Sequence, residues 1–173
     1  MKMLETKDLI LEKAKFEDWR AMYHNVWSRP ETARFMLWKV TVNEEEAKAR
    51  MQRTILYQET HEAFLIYEKV HGQAIGFAGI GELEPGIFTD TGIAIGPEFV
   101  GRGYGKQTLK LLLRYCSMQL HGNEFRYTTR SENTASKALA LSCGFIYQYS
   151  RKKMSESGEC YEIETYIRKL ERS

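Results

Sequence analysis

The residues of this chain best suited to chemistry stand in one run, Gly101-Arg102-Gly103-Tyr104-Gly105-Lys106. Alternate glycines let a backbone approach a ligand with no Cβ in the way. The run opens a helical pattern, and a helix mouth presents unpaired N–H groups and the positive end of its dipole. Together these features make a seat for a phosphate or pyrophosphate. Two well-defined phosphate loops do not match. A Walker A loop needs glycine where Val100 stands and Ser or Thr where Gln107 stands. A dinucleotide-binding GxGxxG needs glycine at Lys106 or at Thr108, depending on the frame. His24, His61, His71 and His121 show no ligand-like spacing, so no metal is expected.

The elements around the loop follow from periodicity. Ile93-Ala94-Ile95, stopped by Gly96-Pro97, reads as a strand entering it. Leu109, Leu112, Leu113, Cys116 and Leu120 recur at helical steps after it, with Lys106, Lys110 and Arg114 on the solvated side and His121-Gly122 as the stop. Upstream, Leu9-Ile10-Leu11 suggests a first strand. Trp19, Met22, Tyr23, Val26 and Trp27 form an amphipathic helix whose aromatic stripe reads as core, or as a wall of an acceptor pocket. After a loop at Ser28–Thr32, Asn43 and Glu46 form a capping arrangement for a helix that buries Ala47, Met51 and Ile55. Strands at residues 63–67 and 74–81 follow, and Glu84-Pro85-Gly86 turns the chain into the Ile93 strand. A strand at 125–129, joined through the helix, should lie parallel to the Ile93 strand. Asn133 caps a short helix ended by Gly144, and two alternating strands close the chain around a Ser155–Gly158 turn.

Composition bounds the rest. The 173 residues are 43% hydrophobic and 28% charged, as in a globular protein of one domain spanning 1–173. A net charge of +2 argues for neither nucleic acid nor an anionic membrane as partner. Cys116, Cys143 and Cys160 form no CxxC pair and read as free thiols of a reducing cytoplasm. Met1–Glu5 leads into no apolar leader segment, and no stretch approaches a membrane span.

The frame Val100-Gly101-Arg102-Gly103-Tyr104-Gly105 resembles the signature of the GNAT superfamily of acetyl-CoA-dependent N-acetyltransferases. Both small positions match, while Val100 replaces the family's Gln or Arg. Asn133-Thr134-Ala135-Ser136 followed by Cys143-Gly144-Phe145 is similar to the second signature. Asp90-Thr91-Gly92-Ile93-Ala94-Ile95 and Met36-Leu37-Trp38 resemble the subgroup that acetylates ribosomal-protein N-termini. The likeness covers the whole chain, most specifically residues 73–147.

The resemblance implies an α/β (α+β) fold: a mixed, mostly antiparallel sheet, one parallel splayed strand pair, and helices on both faces. Acetyl-CoA as cosubstrate would lie along Ile93, Ala94 and Ile95, with an N–H near Ile95 as oxyanion donor. Its pyrophosphate would meet the backbone of Val100, Gly101, Arg102, Gly103, Tyr104, Gly105 and Lys106, with Asn133, Ser136 and Lys137 also at the cosubstrate. Lys137, Arg102 and Arg130 are candidates for its 3′-phosphate. The reaction, attack of an amine on a thioester, needs a neutral amine, an oxyanion donor and a proton for the leaving sulfur. Asp90 stands where the subgroup has its acidic general base. The tyrosine that serves many members as acid is replaced by Ala140, which leaves Ser136 as the acid and Tyr147 in reserve.

An α-amine has a pKa near about 7.7–8 and a lysine near about 10.4, so an aspartate base suits the former. The same comparison admits a small amine of low pKa, and the resemblance to the ribosomal-protein subgroup implies a protein or peptide N-terminal α-amine as acceptor. A small-molecule amine (an antibiotic, polyamine or amino acid) is the enzymatic alternative, and a CoA-binding module without turnover the non-enzymatic one. A monomer and a homodimer are both compatible with the sequence.

Overall fold

The computed structural model describes residues 4–171; Met1–Met3, part of the stretch read above for a leader, lie outside the described residues, as do 172 and 173. Its strands are β1 (Leu4–Glu5), β2 (Leu9–Glu12), β3 (Glu62–Glu68), β4 (Gln73–Glu84), β5 (Ile87–Ile95), β6 (Glu124–Arg130), β7 (Ile146–Met154) and β8 (Cys160–Lys169). Its α-helices are α1 (Trp19–Met22), α2 (Pro30–Ala33), α3 (Glu44–Thr60), α4 (Tyr104–Met118) and α5 (Thr134–Ser142). The strands form one sheet in the order β1-β2-β3-β4-β5-β6-β8-β7. The β5–β6 pair is parallel, and β1–β2, β2–β3, β3–β4, β6–β8 and β7–β8 are antiparallel. This is the mixed, mostly antiparallel sheet expected from the sequence.

The chain folds as two compact units. The first takes residues up to Gly81 together with Thr91–Leu112; the second takes Glu82–Asp90 and the residues from Leu113 onward. In the first, Trp19, Met22, Val26 and Trp27 pack with Ala47, Met51, Leu65 and Ala74 as one buried cluster. The Trp19–Trp27 segment is not one regular helix. α1 runs into a π-turn over Tyr23–Trp27, in which the Ser28 N–H reaches back five residues to the Tyr23 carbonyl at 3.0 Å. The residues read as a loop at Ser28–Thr32 include the start of α2, where Pro30 takes the first helical position. α3 begins as expected: the Asn43 side chain accepts the Glu46 N–H at 2.8 Å. Glu46 closes the arrangement one residue early, on the Val42 N–H at 3.0 Å.

In the second unit the parallel register covers Ile87–Thr89 against Glu124–Arg126. The strand that carries Ile93–Ile95 is thus the parallel partner of β6, as expected, and Ile93–Ile95 themselves lie beyond the registered pairs. β6 then continues to Arg130 against β8 alone in the registered pairs. Phe125, Tyr127 and Phe145 are buried together, with the Phe125 and Phe145 ring centroids 5.9 Å apart and edge-on. The stop after α4 also departs from expectation. The left-handed residue is His121, with φ 55°, rather than Gly122. Gly122 is small for a different reason: a Cβ there would sit 2.9 Å from the Phe88 ring.

Candidate active site

The glycine loop lies in the first unit. Gly101 and Gly103 have φ of +78° and +77°, the left-handed region that side chains with a Cβ resist. A Cβ at either would meet nothing within 4 Å, so the space over the loop is open. α4 starts at Tyr104, immediately behind it. An open cradle lined by backbone at a helix start fits a pyrophosphate. Val100, in the position where the sequence departs from the family frame, is 62% exposed.

A buried carboxylate that sequence reasoning missed holds the loop. Glu68, whose side chain is 1% exposed, ends β3. Its oxygens accept from Tyr104 Oη at 3.0 Å and Arg102 Nη1 at 3.1 Å, and pair with His71 Nδ1 at 3.0 Å. The His71 hydrogen bond, opposed by burial and aided by Tyr104 and Arg102, holds its pKa below the usual carboxylate value. Arg102 is therefore a strut for the loop, and Lys106 remains an exposed cation beside it. Because the folded pKa is depressed, the stabilisation is present above the ordinary carboxylate pKa and lost as pH falls through the folded one. Glu68→Ala is expected to cost about 1–3 kcal/mol at pH 7. The resulting fall in Tm should shrink as melts are taken down to about pH 3; a gap that stays constant with pH would remove the carboxylate from this role.

The second unit carries the candidate acid–base groups. Asp90 follows the last registered β5–β6 pair. Its Oδ1 accepts the Thr128 N–H at 3.3 Å. The registered β5–β6 pairs end at Thr89, and this carboxylate supplies the Thr128 N–H with an acceptor. Burial raises the Asp90 pKa to about 7, against the pull of backbone N–H groups of Thr128 and Asp90 itself. Ser136 stands on α5. The helix cap is Asn133, whose Oδ1 accepts the Ser136 N–H at 3.1 Å, so the Ser136 hydroxyl is not spent on capping. That hydroxyl lies 2.7 Å from the phenol of Tyr127. Burial, and secondarily the Asp90 charge, push the Tyr127 pKa up and keep the phenol protonated. Nothing in the sequence marks Tyr127 beyond its place in a strand, nine residues before Ser136.

Other predicted residues are engaged elsewhere. Lys137 Nζ lies 3.2 Å from the Ser131 carbonyl and 3.3 Å from Glu164, and the Arg130 guanidinium sits 4.0 Å from the Tyr161 ring centroid. Tyr147, on β7 at the far side of β8 from β6, bonds to Ser150 at 2.7 Å. Among the described residues no group of His, Cys, Asp or Glu is arranged to hold a metal. No helix of the described residues is long and apolar enough to cross a membrane.

The first unit also contains a cavity of about 500 Å³. Met22, Trp27 and Trp38 line it together with α3 residues and with Thr91 and Gly92, which follow Asp90 in the chain. The aromatic stripe is thus both core and pocket wall.

Comparisons with known proteins agree with this geometry. A family model described as an acetyltransferase (GNAT) domain matches residues 8–146. No curated protein sequence matches the chain. Among solved structures, a GNAT-family acetyltransferase from Bacillus anthracis is 16% identical, with a TM-score of 0.85 over 98% of this chain and 99% of that one. An acetyltransferase from Salmonella typhimurium, described as modifying the N-terminal serine of ribosomal protein L7/L12, is 20% identical, with a TM-score of 0.80 over 98% and 100%. The microcin C7 self-immunity acetyltransferase, solved with acetyl-CoA and AMP, is 17% identical, with a TM-score of 0.81 over 95% and 94%. At these identities the likeness is one of fold, and the family rests on the model that spans most of the chain. With the open glycine cradle, that match makes the chain a member of the GNAT acetyltransferase family.

Proposed function

We propose that the chain transfers the acetyl group of acetyl-CoA to an N-terminal α-amine of a protein or peptide, both units acting as one N-acetyltransferase domain. The observation that carries this reading is Asp90, whose pKa of about 7 matches a base working on an amine of pKa about 7.7–8. A lysine would leave such a base about three units short. The family model runs through both units, which supports treating them as one domain. Of two neighbours, the Salmonella protein is described as modifying a protein's N-terminal serine, and the microcin self-immunity acetyltransferase was solved with AMP beside acetyl-CoA. The cavity of about 500 Å³ favours the small-molecule amine as second reading. Cys116, Cys143 and Cys160 form no disulfide among the described residues, which suits a cytoplasmic setting.

In this reading the backbone of Gly101–Lys106 holds the pyrophosphate, with Val100 flanking it, and Ile93, Ala94 and Ile95 offer strand backbone to the pantetheine arm. Asn133 orients the start of α5. Lys137 remains near the cosubstrate as a paired charge. Acetyl-CoA, when bound, supplies the acetyl thioester. Asp90 takes the proton of the incoming ammonium, directly or through one water. Ser136 relays a proton from Tyr127 to the leaving sulfur across their hydrogen bond of 2.7 Å, and water then reprotonates the phenol, whose surroundings favour its neutral form.

The test is release of free thiol from acetyl-CoA across a panel of peptide α-amines, polyamines and free amino acids. Thiol release driven by peptide α-amines is expected; binding of acetyl-CoA with no release for any amine would leave a non-catalytic module. In the same assay Ser136→Ala should lower kcat by about 10-fold or more with little change in acetyl-CoA affinity. An unchanged turnover number would assign the proton to solvent.

A further inference from the structure

The cavity of the first unit carries a charge that the fold does not balance. Arg50, on α3, projects between two indoles: its guanidinium carbon lies 4.7 Å from the Trp27 ring centroid and 4.4 Å from that of Trp38. One of its five donors is used, Nη1 to Thr41 Oγ1 at 3.1 Å. Among the described residues no carboxylate forms an ion pair with it. Arg53 stands one turn further along α3, and Lys39 also lines the cavity. The one carboxylate of the lining, Glu46, is turned to the Val42 N–H. Burial, reinforced by the neighbouring Arg53 charge and offset in part by Glu46, lowers the Arg50 pKa to about 10, so it stays cationic at neutral pH.

A guanidinium partly drawn out of water with Glu46 near but no carboxylate in ion-pair contact is costly, and a second cation one turn away adds to the cost. Both costs are relieved when an anion arrives. The two indoles lie against the guanidinium, and its N–H groups not used on Thr41 match a planar carboxylate. Trp38 adds a second observation: its Nε1–H is buried with no acceptor, although buried donors are nearly always paired. Trp27, Phe64, Leu65 and Phe77 supply the apolar remainder of the lining.

We propose that this cavity is the acceptor pocket and that it selects α-amines carrying a carboxylate, which Arg50 recognises. The proposal rests on the acetyltransferase reading and narrows its acceptor. It also assists the chemistry, because cationic walls disfavour the ammonium form and help deliver the neutral amine. The carboxylate can belong to a free amino acid or dipeptide, or to an acidic side chain near a peptide's N-terminus.

Matched acceptors test it. Amino acids and dipeptides are compared with their amides, and C-terminally amidated peptides with Asp at position two or three are compared with their Asn counterparts. In the wild type the acid of each productive pair should have kcat/KM about 10- to 100-fold above its amide, the range of a charge-assisted hydrogen bond. The series that responds identifies the source of the carboxylate. Arg50→Gln should bring the ratio to near one, and Arg50→Lys should keep part of it. Binding without turnover is read from the fluorescence of Trp27 and Trp38, with N-acetylglutamate and its diamide as unreactive probes and no acetyl-CoA present. Quenching by the acid alone, lost in Arg50→Gln, supports the site. Equal kcat/KM for acids and amides in the wild type overturns the proposal, whether or not the variants fold. Acid-selective quenching with no amine acetylated overturns the acceptor assignment and the transferase reading, while the anion site stands.

Discussion

Gly103→Val is expected to raise the acetyl-CoA dissociation constant by about 100-fold or more, the equivalent of losing two hydrogen bonds to a charged group. At φ +77° with open space above it, a Cβ would meet no protein atom within 4 Å, and the valine side chain would instead enter the cradle. The substitution also forces a β-branched residue into the left-handed region, at about 1–3 kcal/mol. A second glycine separates these two effects. Gly158, at φ +84° in the turn between β7 and β8, likewise has nothing within 4 Å of a built Cβ. Gly158→Val should therefore lose a similar amount of stability, about 2–4 °C of Tm per kcal/mol, and leave acetyl-CoA binding untouched. Titration calorimetry on both variants decides. Equal affinities in the two would show that the loop holds no phosphate and that only backbone strain is being measured.

Asp90→Asn should lower kcat/KM by about 10²- to 10⁴-fold at neutral pH and at the same time make the protein harder to unfold. Both halves follow from one buried carboxyl. Its folded pKa, about 7, is raised above the ordinary value, so its stabilising neutral form is fully present below about pH 4. That contribution is lost as pH rises through about 7. A rise from 3.8 to about 7 corresponds to on the order of 4 kcal/mol at pH 8, which asparagine would recover less whatever it forfeits at the Thr128 N–H. The catalytic deficit should shrink towards about pH 9, where solvent delivers the neutral α-amine unaided. Thermal melts and kcat/KM profiles from about pH 5 to 9 test both halves. A variant that melts lower at every pH, with a rate profile parallel to the wild type, would make Asp90 only a strand-end acceptor for Thr128.

Features written in local periodicity were readable from the sequence. Leu109, Leu112, Leu113 and Cys116 are buried, Lys106, Lys110 and Arg114 are exposed, and Asn43 and Asn133 cap their helices. The features that escaped depend on partners distant in the chain. Glu68 reads as one charge at a strand end until Arg102 and Tyr104 fold against it. Arg50 reads as part of the solvated face of α3, and becomes exceptional only between Trp27 and Trp38. The parallel pairing of the Ile93 strand with the strand at 125–129 was readable, whereas the residues that meet, Ile87–Thr89 with Glu124–Arg126, were not. Hydrophobic pattern selects an element and leaves its pairing position open.

The π-turn at Tyr23–Trp27 has a genetic consequence. An i to i+5 bond accommodates one residue more than an α-turn does, so the wide turn behaves as a built-in insertion. Deleting one residue between Tyr23 and Val26 would let the segment relax into an ordinary helix with better local hydrogen bonding. The ordinary turn covers nearly the same angle with one residue fewer, so the chain beyond Ser28 would keep its direction around the helix axis. This segment is therefore expected to tolerate a frame-preserving loss of a single codon better than the regular helices do.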